Sequence, residues 1–338
     1  MTATTPQTHA RTGTAHEPTA LARAAGIVAA VTALLALVAI AFALPAARSG
    51  PHEVPIGAAG PQAAGGQVAD MLEQKAPGAF AVTYYPGAAA LAAAVRNRDV
   101  YGGIALPDRP GGQASLVVAS GASPMVAQLL TQLGAEFSRQ SGIPVRTEDL
   151  APPTARDPRG AGLAASALPL TLAGILPAIA LVLALRTQVW LRFATALVFS
   201  VVAAVTLAAL LRFVLGSVDE NFRGVAGALT AGIAAALLLV LGLGSLFGRI
   251  GLVCGAGLAL LVGNPLSGLS SAPELLPAGW GALGQLLPQG ATATLLRSAV
   301  SFGGAGASTP ALVLTCWILA GTALTVAAAL RGRTAPPR

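Results

Sequence analysis

The chain has 338 residues, 54% of them apolar and only 10% charged, with a formal net charge of +7. A soluble globular domain carries about 25% charged residues, so this composition excludes an ordinary soluble fold and indicates an integral membrane protein. The basic excess is nearly all arginine, but no basic stripe with interleaved aromatics appears, which argues against nucleic acid as a partner.

Residues 1–23 begin "MTATTPQTHARTGTAHEPTA", Thr- and Pro-rich with almost nothing to bury, and read as a disordered cytoplasmic tail. Six apolar runs then meet the length of about 20 residues that a helix needs to cross a bilayer. They are 24–44, 162–185, 191–215, 224–247, 250 to about 269, and 310–330. Helices suit them because a helix pairs its own backbone groups in lipid. "AFA" at 41–43 would permit signal cleavage, but a run of about 20 apolar residues is longer than a signal h-region, so 24–44 reads as a retained anchor.

Arginine placement sets the orientation. With the N-terminus inside, Arg11, Arg23, Arg186, Arg192, Arg249, Arg331, Arg333 and Arg338 all fall on the cytoplasmic side. The short outer loop "GSVDENFR" holds Asp219 and Glu220. A multi-pass protein of the cytoplasmic membrane follows, with both termini cytoplasmic and 331–338 as an inner tail.

Residues 45–161 form the exported segment. "AFAVTYYP", "VYGGIALP", "QASLVVAS" and "IPVRTEDL" read as strands, with an Ala-rich helix after the first. A second helix opens on Ser123 as its cap and closes on Gly142. Strands alternating with helices predict a small α/β domain. The remainder, 162–330, is a five-helix transmembrane domain.

Reactive groups are sparse. The histidines are His9, His16 and His52, with no metal-ligand spacing. Cys254 and Cys316 lie in apolar runs with no histidine nearby in sequence. No nucleophile elbow and no phosphate-binding G-x-x-x-x-G-K-[ST] occurs. The reading is therefore not an enzyme, with no catalytic, cofactor or metal site.

Arg212 is a charge inside a span, where it either snorkels to the interface beside Asp219 and Glu220 or faces a substrate. Gly244 with Gly248, and Gly251 with Gly255, have the small-xxx-small spacing of closely packed membrane helices, whether within the chain or at a dimer interface. Asn264-Pro265 breaks the fifth run. Beyond it, 264–308 offers two short apolar helices, carrying Trp280 and separated at Pro288-Gln289-Gly290. They form either a hairpin re-entering the outer leaflet or helices lying on the surface.

The layout resembles the membrane subunit of type-2 ABC exporters, and especially the phage-infection-protein-like permeases. "VRNRDVYGGIALP" (95–107) is similar to that family's exported segment. "GNPLSGL" (263–269) with "LPAGWGALGQLLPQGATATLLRSAVSFGG" (276–304) resembles its outer re-entrant hairpin. The resemblance implies a homo- or heterodimer in the lipid bilayer, exporting a hydrophobic or amphipathic substrate with a separate cytoplasmic ABC ATPase as partner. Arg212, Asn264, Pro265, Trp280 and Pro288 would line the pathway or its outer gate, and Arg186 and Arg192 would contact the ATPase. The family's coupling element lies between its second and third spans, where this chain has only "RTQVWLR" (186–192). The alternative is a non-transporting envelope membrane protein whose α/β domain binds a partner.

Overall fold

A computed structural model describes residues 20–107, 109, 112–269 and 271–334. Most of the N-terminal tail and the last four residues lie outside them. Two compact units divide the chain, Met1–Ala41 and Phe42–Arg338. The first contains most of α1 (Ala20–Ala47), an apolar helix of 28 residues with Arg23 near its start.

The second unit opens with a five-stranded mixed sheet: β1 (Val54–Ala59), β2 (Phe80–Tyr85), β3 (Gly102–Ala105), β4 (Ala114–Val118) and β5 (Val145–Asp149), ordered β2-β1-β3-β4-β5. Only the β3–β4 pair is antiparallel. The inner strand β1, between β2 and β3, and α2 (Gln62–Lys75) escape the sequence reading. A proline argues against an inner strand, since it has no N–H for the ladder. Here the Pro55 carbonyl faces β3 and accepts from Tyr101 N at 3.0 Å. The absent N–H points the same way, ahead of the first β3 pairing at Gly57, and leaves no gap in the ladder.

Helices cover both faces of the sheet. Val68 and Leu72 of α2 pack with Val126 and Leu130 of α4 (Pro124–Ser141) on one face. Leu91 and Val95 of α3 (Ala88–Asn97) pack on the other. The expected ends of α4 are present: Ser123 accepts from Val126 N, and Gly142 is left-handed.

Among the described residues, five helices are long and apolar enough to cross a membrane, and the chain is a polytopic helical membrane protein. After α1 come α5 and α6 (Ala161–Ala165 and Ala167–Ala184) as one, then α7 (Val189–Ala209) with its π-helical end Leu210–Val214. Next are α8 (Phe222–Gly257) with its π-helical end Leu258–Gly263, and the last helix, Ser308–Thr334. A straight helix of 42 residues would measure about 63 Å, twice the bilayer core. Instead α8 folds back at Gly248, whose φ of 64° and ψ of −136° are glycine territory. A Cβ placed on Gly255 would lie 3.2 Å from Val240 Cα, whereas a straight helix would hold those residues about 22 Å apart. The fourth and fifth expected runs are thus the two arms of one helical hairpin. The second arm ends at Gly263, about 22 Å long and short of the bilayer core. Gly244, Gly251 and Gly255 line the seam between the arms, the packing expected of their spacing.

Helix α9 (Trp280–Gln285) and α10 (Pro288–Ser301) fill the expected hairpin region. The separation comes at Leu286-Leu287, two residues earlier than expected, because Pro288 takes the first-turn position of α10, where its missing N–H costs nothing. Helix α10 does not lie on a surface. It is buried on nearly every side, with Thr292 seated against Gly232 of α8. The last helix, α11 (Ser308–Thr334), crosses α8 where Gly242 meets Gly321 and donates from Trp317 Nε1 to Leu286 O at 2.7 Å.

Candidate functional site

Two distant stretches of sequence meet where the α/β domain joins the hairpin. Arg98 sits just past α3 in the left-handed region, at φ 66°. That conformation costs a non-glycine residue roughly 1–2 kcal/mol. It turns the guanidinium toward α10, where Nη1 donates to Thr294 O at 3.0 Å and to Ser298 Oγ, above the Phe302 ring. Three residues on, the Tyr101 hydroxyl donates to Glu274 Oε2 at 2.7 Å. Burial first, and then the Glu274 charge, raise the Tyr101 pKa far above its ordinary value, so the hydroxyl stays protonated and donates. Burial also lowers the Arg98 pKa, with Tyr101 and Glu274 opposing the shift.

Behind this layer lies Arg297 of α10, only 5% exposed. Its Nη2 donates to Gly268 O at 2.7 Å, Leu269 O at 2.8 Å and Ser271 O at 2.7 Å. Those carbonyls belong to irregular chain after the second arm of α8, where no helix ladder can pair them. Buried backbone of this kind persists only where protein or water satisfies it. Here a guanidinium serves that purpose.

A second joint ties the linker to the helices. Asp157 accepts from Ala161 N and Gly162 N, each at 2.9 Å, capping the membrane helix α5–α6. Its Oδ2 also accepts from Ser217 Oγ at 2.6 Å, in the loop after α7. Burial raises the Asp157 pKa, but the bonds from Ser217, Gly162 and Ala161 outweigh it and leave the carboxyl below its ordinary value. A depressed carboxyl stabilises the fold above its unfolded-state pKa, and that contribution fades as pH falls through the folded value. Asp157→Ala should lower stability at neutral pH by about 1–2 kcal/mol, and the difference from the parent should vanish in acid. Melting curves of detergent-solubilised protein at neutral and acidic pH check both; an unchanged gap at low pH would discard the carboxylate's role.

The residues singled out from the sequence are dispersed. Arg212 is half-buried in the π-helical end of α7, with its guanidinium over the Phe213 ring, 5.7 Å from the centroid, rather than paired with Asp219 or Glu220. Asn264 and Pro288 line one small space with Gln289 and Thr292, and Pro265 follows in the turn. Trp280 opens α9, away from that space. At the far end of the bundle Arg186 is exposed, but Arg192 is buried and donates from Nη2 to Arg186 O at 3.3 Å.

Arg98, Tyr101, Glu274 and Arg297 escape the sequence reading as a site. The bonds from Arg98 to α10 span 196 and 200 residues. One signal was available: Arg297 is the lone charge in the apolar stretch 276–304. Among the described residues, no group of three His, Cys, Asp or Glu side chains could hold a metal. Comparison with protein-family models, with curated proteins and with solved structures gives no match.

Proposed function

We propose that this chain is the permease subunit of an ABC-type exporter, moving a hydrophobic or amphipathic substrate across the cytoplasmic membrane as a homo- or heterodimer. Energy would come from a separate cytoplasmic ATPase. The observation that carries this reading is spatial. Residues 95–107 and 276–304, the two segments that resemble the type-2 permeases, face each other through Arg98, Thr294 and Ser298. Glu274 holds Tyr101 at the same joint. An outside domain fastened to a hairpin that packs on the central helix α8 can transmit movement between the surface and the helices.

Charge placement supports the proposed orientation. Arg186, Arg192, Arg249 and Arg331 lie at the end of the bundle away from the α/β domain, which the positive-inside rule assigns to the cytoplasm. Both termini are then cytoplasmic, and α9–α10 is the re-entrant element.

A second reading has its own observation. Among the described residues, the far end of the bundle offers the turn between α6 and α7, the loopless fold at Gly248 and the end of α11, a small footprint for an ATPase. An anchored envelope protein that binds its partner through the α/β domain needs no such footprint.

Mild-detergent purification from the native host, with co-purifying chains identified by mass spectrometry, separates the two. We expect a stoichiometric P-loop ATPase, lost when exposed Arg186 and Arg249 are changed to glutamate. Arg192 is left intact, since a carboxylate buried there would unfold the bundle. Recovery of an exported partner without an ATPase would replace the exporter with the anchored protein.

A further inference from the structure

Where the α/β domain meets the hairpin, the protein leaves a cavity of about 230 Å³. That is room for about eight waters at about 30 Å³ each. Its wall carries Arg98, Asp99, Tyr101, Glu274, Gln285 and Phe302. Three features of this wall are unusual together. Arg98 spends only Nη1 on the protein, leaving Nε and Nη2 without a protein partner. Gln285 accepts from Thr294 Oγ1 at 2.6 Å, yet its amide Nε2 is buried with no acceptor. A buried donor left in that state is rare and calls for a partner that the protein does not supply. Against these donors stand two carboxylates, Glu274, which is half-buried, and Asp99, which is exposed.

The signs select the ligand. A plain anion would meet the Arg98 edge but also face Glu274 and Asp99. A plain cation would suit the carboxylates but face Arg98, with Arg297 close behind. Only a molecule carrying both charges satisfies the whole wall.

We propose that this cavity binds a compact zwitterion, with its anionic group on the free edge of Arg98 beside Gln285 and its ammonium toward Glu274 and Asp99. Phosphoethanolamine has that chemistry, either as a free solute or as the head group of a phospholipid. The site stands apart from the export reading, because binding requires no ATPase.

Full-length protein in detergent, titrated by calorimetry, tests it with four probes: phosphoethanolamine, inorganic phosphate, ethanolamine and a short-chain phosphatidylethanolamine. Phosphoethanolamine should bind at least about tenfold more tightly than phosphate or ethanolamine alone. Tighter binding of the short-chain lipid than of phosphoethanolamine identifies a lipid source, and the reverse order a free solute. Gln285→Glu keeps the acceptor for Thr294 but replaces the amide donor, and should weaken phosphoethanolamine by about tenfold. Asp99→Asn, at an exposed position that leaves folding intact, should weaken phosphoethanolamine while inorganic phosphate binds as well as before or better. Phosphate binding as tightly as phosphoethanolamine, equal affinity in the Asp99→Asn protein, or no heat with any probe would each overturn the proposal.

Discussion

Arg297→Met will destabilise the protein by about 2–4 kcal/mol, and the damage will centre on the irregular stretch 264–272. Methionine approximates the length of the arginine stem but donates nothing. Gly268, Leu269 and Ser271 then lose the hydrogen bonds they receive from Nη2. A buried group without a partner costs about 1–3 kcal/mol. An opposing term exists, since removing a guanidinium from a buried site relieves its desolvation. The first term wins because those carbonyls sit outside any helix, and the bond that Gly268 O also accepts from Ser271 N at 3.2 Å does nothing for Leu269 O and Ser271 O. Lysine should recover about half of the loss, offering a charged donor without the planar fork. Thermal unfolding in detergent, followed by limited proteolysis of 264–276, reads both quantities. A methionine variant that melts with the parent and resists cleavage as well would show that the guanidinium does not hold the loop.

Gly251→Val should be as severe, by a different route. A Cβ at Gly251 would fall well inside van der Waals contact with the Leu243 carbonyl, and backbone cannot step aside as a flexible side chain can. The arms of α8 must part, opening the seam that Gly244 and Gly255 also line. Overpacking of this kind costs about 1–3 kcal/mol at a site that yields, and more where backbone faces backbone. Gly257→Ala supplies the control from the same arm. Its added methyl meets nothing within 4 Å, in a residue with helical dihedrals. That substitution should stabilise by about 0.4–1 kcal/mol. If both variants shift the melting point equally, helix propensity rather than close approach governs this hairpin.

The parts that were legible in sequence follow local rules. Ser123 and Gly142 bound α4 as capping chemistry requires, and run length exposed the membrane helices. The glycine spacing at 244–255 marked a close seam, although the fold-back at Gly248 that creates it has no signature beyond a glycine. What stayed hidden depends on distant partners. β1 is short and buried almost throughout, so it shows no alternation; Gly50-Pro51 and Gly60-Pro61 bracket it as turn signals, but Pro55 weighs against it until the side that it faces is known. Arg212 drew notice because it interrupts a long apolar run. Arg297 interrupts a shorter one and is the more deeply buried of the two. Arg98 reads as an ordinary charged helix end, and only contact with α10 gives it a purpose.

Ala272 and Leu275 belong to the hydrophobic core of the α/β domain, packed among Val54, Ile56 and Leu116. The main chain agrees, since Gly50 N and His52 N donate to Leu275 O and Glu274 O at 3.0 and 2.9 Å. The sheet is complete in sequence at Asp149, yet one wall of its core arrives more than a hundred residues later. At a synthesis rate of 5–20 residues per second, that interval is on the order of 10 seconds. During it the domain waits with an open flank while four further helical segments are made. Its final closure is therefore an act of assembly, timed by the arrival of the hairpin rather than by the domain's own chain.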